Sequence, residues 1–221
     1  MKTLIIIPAY NEEKNIESLV KDVCSYNYDY LVINDHSTDS TEEILTQNNF
    51  NHLNLPINLG IAGVTRVGFK YAYDHNYDCC MCIDGDGQHQ PSYVEPILKK
   101  IEEGNDYVVG SRYLNVKKPF NMRMLGSRII CSLIRLKTKK RVTDPTSGMR
   151  AVGKKVIEEF NESMNFYAEP DTLCYLINKK YKVEEVQVEM KDREGGVSYF
   201  RNPLKSIYYM LSVILSIIFI Q

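Results

Sequence analysis

Two aspartates one glycine apart, followed by a glutamine, end the apolar stretch "CMCIDGDGQHQP" at Cys80–Pro91. Asp84, Asp86 and Gln88 present hard oxygen donors at alternate positions, and the glycines between them let the backbone bend until the three converge. Such a set suits Mg2+ or Mn2+, which keep positions open for phosphate and water. Two carboxylates this close repel unless a cation lies between them, so a metal also accounts for their spacing. A solvent-exposed Asp-Gly turn is the competing explanation, and the position behind a buried run weighs against it. His89 is a poor ligand for a hard cation and is assigned to the turn or to supporting the ligands.

Other chemistries find little footing. No G-x-x-x-x-G-K-[ST] phosphate loop occurs, and glycines 60, 63 and 68 do not form the G-x-G start of a dinucleotide fingerprint. The four histidines, at 36, 52, 75 and 89, follow no nucleophile elbow. Cysteines 24, 79, 80, 82, 131 and 174 match neither a zinc spacing nor a disulfide framework, so packing is expected of each. Met1–Ile7 does not read as a secretory signal, and a reduced, cytosolic setting is expected.

The elements that must carry Asp84 and Asp86 are legible as far as residue 111. "TLIIIP" (3–8), "YLVIND" (30–35), "DCCMCID" (78–84) and "DYVVGS" (106–111) are short apolar runs of the kind that form strands buried on both faces. Between them lie a helix with Ile16, Leu19, Val20 and Val23 on one face, for which Asn11 is a candidate cap, and a helix near 42–47. A glycine-led helix follows within 58–75, and another in 92–103 despite Pro96. This alternation argues an α/β fold with a doubly wound, mainly parallel sheet. Open sheets of that kind bind ligands outside the carboxyl ends of their strands. Tyr10, Asn11, Asp35, Asp84, Asp86, Ser111 and Arg112 all follow such ends and belong to one crevice.

The formal net charge of −1 hides an asymmetry: residues 107–143 hold ten basic side chains and no acidic one. The block suits phosphate or an anionic membrane surface, although a solvated charge run has the same composition. Within it, 121–136 reads as a helix with apolar residues 125, 129, 133 and 136 interleaved with arginines. The last sixteen residues, from Ser206, carry no charge. Their apolar part spans roughly 20–25 Å as a helix, short of the ~30 Å hydrocarbon core. A membrane-associated helix over 201–221, completed by a partner, is expected, with burial in the protein's own core as the alternative.

Taken in order, "IIIPAYNEEKNI", "VINDHSTDST", "NLGIAGVTRVGFKYA", "DGDGQHQP", "VVGSRY", "DPTSGMRA" and "REGGVS" resemble family 2 glycosyltransferases of the GT-A fold, a Rossmann-like architecture. The resemblance is strongest to the dolichol-phosphate mannose synthase branch, which includes bacterial polyprenyl-phosphate glycosyltransferases, and it covers residues 3–200. It implies that Pro8, Ala9, Tyr10 and Glu12 hold the nucleotide base and ribose, with Asp35 on the base. The family usually has Asp-Asp where this chain has Asn34-Asp35. It further implies that Asp84, Asp86 and Gln88 hold the metal on the donor diphosphate. Arg112 and Arg123 match residues near the acceptor phosphate, with Arg128 a weaker alternative, and Arg193 and Ser198 match a loop that closes over the phosphates. The Q-x-x-R-W signature of processive synthases is absent, which disfavours polymerisation.

The expected organisation is one catalytic domain over 1–200, with a nucleotide-sugar and metal half (1–111) and an acceptor half (112–200), followed by the 201–221 helix. The expected activity is inverting, metal-dependent transfer of one hexose or N-acetylhexosamine from a nucleotide sugar, UDP-linked by preference, to a polyprenyl phosphate. The expected place is the cytoplasmic face of the membrane. A small integral membrane protein or a second copy is the expected partner; nucleic acid is not. Two other readings stand beside this. A saccharide hydroxyl could be the acceptor, with Asp144 as base rather than as a residue that orients the acceptor or an arginine; alternatively, an idle module could serve in membrane assembly.

Overall fold

The computed structural model describes residues 1–120, 122–162, 170–191 and 203–220, with side chains undescribed at 122, 123 and 203–207. Among the described residues seven strands form one sheet: β1 (Thr3–Ala9), β2 (Asp29–Asn34), β3 (His52–Asn54), β4 (Cys79–Cys82), β5 (Tyr107–Ser111), β6 (Arg150–Gly153) and β7 (Val183–Gln187). Their order is β3-β2-β1-β4-β6-β5-β7. Every neighbouring pair is parallel except the two that involve β6, which runs against both β4 and β5.

The period of two in a strand explains the layering. Leu4 and Ile6 of β1, with Cys80, Cys82, Tyr107 and Val109, bury into a core on one face of the sheet. Ile5 and Ile7, with Cys79, Met81 and Val108, bury into a second core on the other. Each fully buried Ile or Leu contributes about 1.5–3 kcal/mol, which is why these strands carry scarcely any polar residue. Helices α1 (Ile16–Cys24), α2 (Thr41–Gln47) and α4 (Val94–Glu102) supply the second core. Helices α3 (Gly60–Asp74), α5 (Met122–Thr138), α6 (Lys154–Glu162), α7 (Pro170–Asn178) and α8 (Pro203–Phe219) supply the first. Pro96 is tolerated because it sits in the first turn of α4, where its missing N–H has no intrahelical partner to lose.

Several expectations change. Asn11 does not cap α1, which begins at Ile16 behind Asn15. Its backbone is left-handed, at φ 55°, and its side-chain oxygen accepts the Thr38 N–H at 2.8 Å instead. Strands β3, β6 and β7 carry no clear sequence signal, since each is short and few of their residues alternate; helix α6, with Val156, Ile157 and Phe160 on one face, and the apolar helix α7 complete the half beyond residue 111. Packing does not hold for every cysteine: Cys24 is exposed and Cys131 half-buried. Burial pushes the Cys79 and Cys82 thiols up to about 12. Helix α8 buries Val213 and Ile217 in the first core and leaves Tyr208, Leu211, Leu215 and Phe219 exposed, so its inner face is core. Among the described residues no helix is long and apolar enough to cross a membrane.

Candidate active site

The reversal of β6 builds the site. Strands β1, β2, β4 and β5 all end at one edge of the sheet, and because β6 runs the other way the loop before it reaches that same edge. Residues 142–149 are therefore delivered beside the ends of β4 and β5, between which β6 lies.

The loops at this edge are stitched to one another through their backbones. Asp35 N–H donates to the Ala9 carbonyl at 2.8 Å and Gly85 N–H to the Pro8 carbonyl at 3.1 Å. Asn11 N–H donates to Ser37 Oγ at 3.0 Å and Glu12 N–H to Thr41 Oγ1 at 2.9 Å. Pro8, Ala9 and Glu12 are buried here, whereas Tyr10 is half exposed, its ring open to solvent. The Glu12 carboxylate accepts from Asn15 Nδ2 at 3.0 Å. Asp35 is buried, and its two oxygens accept the Leu59 and Gly60 amides at 2.6 and 2.8 Å, which fixes the start of α3. Asn34 turns its amide to Asn54 and accepts the Ser37 N–H.

The Asp84–Gln88 loop stands in close quarters. A Cβ on Gly85 would lie 2.7 Å from the Pro8 carbonyl oxygen, so only glycine lets this loop lie against the end of β1. Asp84 turns its carboxylate toward the loop before β6, while Asp86 is buried and accepts the Gln88 N–H at 3.0 Å. Gln88 donates its amide N–H to the Lys191 carbonyl at 3.2 Å, which leaves Oε1 as the amide's ligating atom. His89 is buried beneath them. The Asp84 N–H donates to its Nδ1 at 2.9 Å, so that nitrogen is unprotonated and the ring N–H sits on Nε2, 3.6 Å from Asp84 Oδ2. The histidine is thus the floor of the aspartate loop rather than part of a surface turn.

Among the described residues no group of three or more His, Cys, Asp or Glu side chains is disposed to hold a metal. The set at hand is instead two carboxylates and an amide oxygen on one tight loop, and that donor chemistry fits a small hard divalent cation.

Arg112, the first residue after β5, is held by Asp144. Its Nε and Nη2 donate to the two carboxylate oxygens at 2.7 and 2.9 Å, and its backbone N–H adds a third bond at 3.2 Å. Asp144 is wholly buried, and Thr146 Oγ1 donates to it as well, at 3.3 Å. Burial works against the Arg112 charge, but Asp144, with smaller help from Tyr113 and Asp84, raises its pKa above the ordinary arginine value. A carboxylate so fully engaged is poorly placed to take a proton from a hydroxyl.

Of the basic block, Lys118 donates to Ser127 and Cys131, and Lys137 to the Ile218 carbonyl. Lys140 donates to the Val183 carbonyl, and Arg128 to the Lys118 and Pro119 carbonyls. Much of the block is therefore structural, and among the described residues Arg112 is its one member in an ion pair. Arg123 lies in the first turn of α5. Arg193 and Ser198 lie outside the described residues.

The family model for glycosyl transferase family 2 matches residues 4–160. The chain belongs to that family. UDP-N-acetylglucosamine–dolichyl-phosphate N-acetylglucosaminyltransferase of Methanococcus voltae is 33% identical over 210 residues, covering 85% of this chain and 84% of the relative. Dolichol-phosphate mannosyltransferase of Pyrococcus furiosus is 29% identical over 225 residues; 96% of this chain is covered, but the chain spans only 62% of that relative. Among solved structures, glucosyl-3-phosphoglycerate synthase from Mycobacterium tuberculosis in complex with Mn2+, UDP and phosphoglyceric acid aligns with a TM-score of 0.75 at 16% identity. The alignment covers 100% of this chain and 79% of that one, and it shows the fold alone.

In this family 2 chain Gly148, inside the DPTSGMRA motif, is a residue to which sequence reasoning gave no role. A Cβ there would meet Asp84 Oδ2 at 2.6 Å and His89 Cε1 at 3.1 Å. The loop before β6 thus lies against the Asp84–Gln88 loop, and a side chain at 148 would have to displace the Asp84 carboxylate. Gly148→Ala is expected to push Asp84 aside and to lower turnover about 100-fold, because displacements near 1 Å at a reacting centre cost that much. Steady-state kinetics with a parallel melting curve check this, and unchanged turnover would sink it.

Proposed function

We propose that this chain transfers one sugar, with inversion, from a nucleotide sugar to a polyprenyl phosphate at the cytoplasmic face of a membrane. The observation that carries the reading is Arg112, a half-buried cation locked by Asp144, on the same sheet edge as the Asp84–Gln88 loop and close enough for Asp84 to help hold its charge. A phosphate acceptor needs a fixed cation and no base, because its oxygen is already anionic near neutral pH. The names of the Methanococcus and Pyrococcus relatives support a dolichyl-phosphate acceptor, and the former supports a UDP-linked N-acetylhexosamine donor.

In this reading residues 1–111 bind donor and metal and residues 112–200 bind acceptor. Pro8, Ala9, Tyr10, Glu12 and Asp35 cradle the nucleoside, and Tyr10, half exposed, is free to stack on the base. Asp84, Asp86 and Gln88 would hold Mg2+ or Mn2+, which when bound neutralises charge on the departing diphosphate. Arg112, with Arg123, orients the lipid phosphate so that one oxygen attacks the anomeric carbon from the face opposite the diphosphate. The new bond is carbon to phosphate oxygen, the broken one is carbon to diphosphate oxygen, and the nucleoside diphosphate leaves with that bond's electron pair. Arg193 and Ser198 are assigned to closing over the phosphates. Exposed Leu125, Ile129 and Leu136 on α5 and Leu211, Leu215 and Phe219 on α8 support contact with a membrane surface, with a small membrane protein or second copy as partner.

The test is transfer from radiolabelled UDP-sugars to undecaprenyl or dolichyl phosphate in detergent. The expected result is a chloroform-soluble, acid-labile product, lost on chelation and restored by Mg2+ or Mn2+. A water-soluble glycoside, or no product from any common donor, would overturn it. The hydroxyl-acceptor reading gains no support, since Asp144 is committed to Arg112.

A further inference from the structure

We propose that Glu185, on the edge strand β7, is a positioning residue for sugar transfer that sets the guanidinium of Arg112 through the Thr143–Asp144 backbone; this rests on the reading of Arg112 as the residue that orients the acceptor phosphate. Glu185 stands 41 residues beyond Asp144 and belongs to none of the sequence motifs. Its register opposite Val109 of β5 brings it under the loop that precedes β6.

Among the described residues Glu185 is in no ion pair, and its carboxylate is spent on that loop. It accepts the Thr143 N–H at 3.0 and 2.8 Å on its two oxygens, the Thr143 hydroxyl at 3.0 Å and the Asp144 N–H at 2.9 Å. Thr143 and Asp144 are both buried, so these amides depend on Glu185 in place of water. An ionised carboxylate only accepts, and this fixes the direction of the hydroxyls next to it. Thr143 must donate to Glu185, so at the 2.7 Å contact Ser111 must donate to Thr143, and Ser111 Oγ then accepts the Tyr113 N–H at 3.2 Å. The chain of bonds from Glu185 thus ends on the residues that flank Arg112 on either side.

Gln187, two residues on and on the same face of β7, completes the clamp. Its Nε2 donates to the Arg112 carbonyl at 3.1 Å and its Oε1 accepts the Asn115 N–H at 2.8 Å. One strand therefore holds the backbone of Arg112 directly and the side chain of Arg112 through Asp144, which takes the guanidinium by two bonds. A shift of the Asp144 backbone would carry the guanidinium with it, and positioned cations lose effect steeply with such shifts.

The experiment uses the full chain with the UDP-sugar that it turns over in the assay above and undecaprenyl phosphate. Parent, Glu185→Gln, Glu185→Ala, Arg112→Ala and the Glu185→Gln/Arg112→Ala pair are compared. Glu185→Gln keeps the shape but places an amide N–H against backbone donors. It is expected to lower kcat about 10-fold and raise the acceptor KM, and Glu185→Ala about 100-fold, with the donor KM within about two-fold of the parent. In the Arg112→Ala background Glu185→Gln is expected to cost nothing further, because residues acting through one another are not additive. Parent-like kinetics for Glu185→Gln, an independent loss in the Arg112→Ala background, or unfolding of both Glu185 variants at the assay temperature would each overturn the proposal. A parent chain that makes no lipid-linked product fails differently: the reading of the acceptor falls first, and this inference with it.

Discussion

Asp86→Asn is expected to lower the rate of sugar transfer by about 1000-fold while leaving the melting temperature within about 3 °C of the parent. Asparagine keeps the side-chain oxygen that accepts the Gln88 N–H, so the turn after β4 retains its shape. It removes one of the two carboxylate charges on the loop and, in the reading proposed above, with it the anchor for a divalent cation. Losing that cation forfeits several kcal/mol of charge stabilisation on the departing diphosphate, and each 1.36 kcal/mol is about ten-fold in rate. Initial rates at saturating donor, with calorimetry for metal binding, check the expectation. A variant that binds Mn2+ as the parent does, or that turns over within about ten-fold of it, removes Asp86 from the metal set.

The second large effect is on stability as well as on rate. Asp144→Ala leaves the Arg112 guanidinium half-buried without its carboxylate, and removing one member of such a pair typically costs about 3–5 kcal/mol. For a chain of this length that is roughly a 10 °C fall in melting temperature. Arg112→Ala with Asp144→Ala is expected to recover part of the stability, since no unpaired charge then remains, and none of the activity. Chemical denaturation of the two single variants and the double variant, with transfer rates alongside, separates the two contributions. If Asp144→Ala melts with the parent, the pair is not what holds this loop.

Asp86 and Asp144 differ in how visible they are along the chain. Asp84, Asp86 and Gln88 are local: their spacing, the glycines between them and the buried run before them lie within twelve residues. The strands through residue 111 are equally local, because burial on both faces demands continuous apolar runs. By contrast β6 and β7 draw their identity from neighbours far off in sequence. Arg150 sits in β6 with its guanidinium on the Ser147 and Pro145 carbonyls, and Glu184–Gln187 form a polar edge strand, so neither looks like a strand when read alone.

Sequence alone therefore determined the class of fold, the edge of the sheet at which Asp35, Asp84, Asp86 and Arg112 gather and the oxygen donors that stand there, since each depends on periodicity or on neighbours a few residues away. Tertiary structure decided that Asp144 serves Arg112, that His89 lies under Asp84 and that Gly148 packs against the Asp84 carboxylate. It also decided that the inner face of α8 is core and that Glu185 reaches the site at all. Asp144 and Gly148 reach the site because β6 is reversed: an antiparallel strand in an otherwise parallel sheet brings residues 142–149 to the edge that residues 84–88 occupy, and no local pattern of residues records which way a strand of four will run.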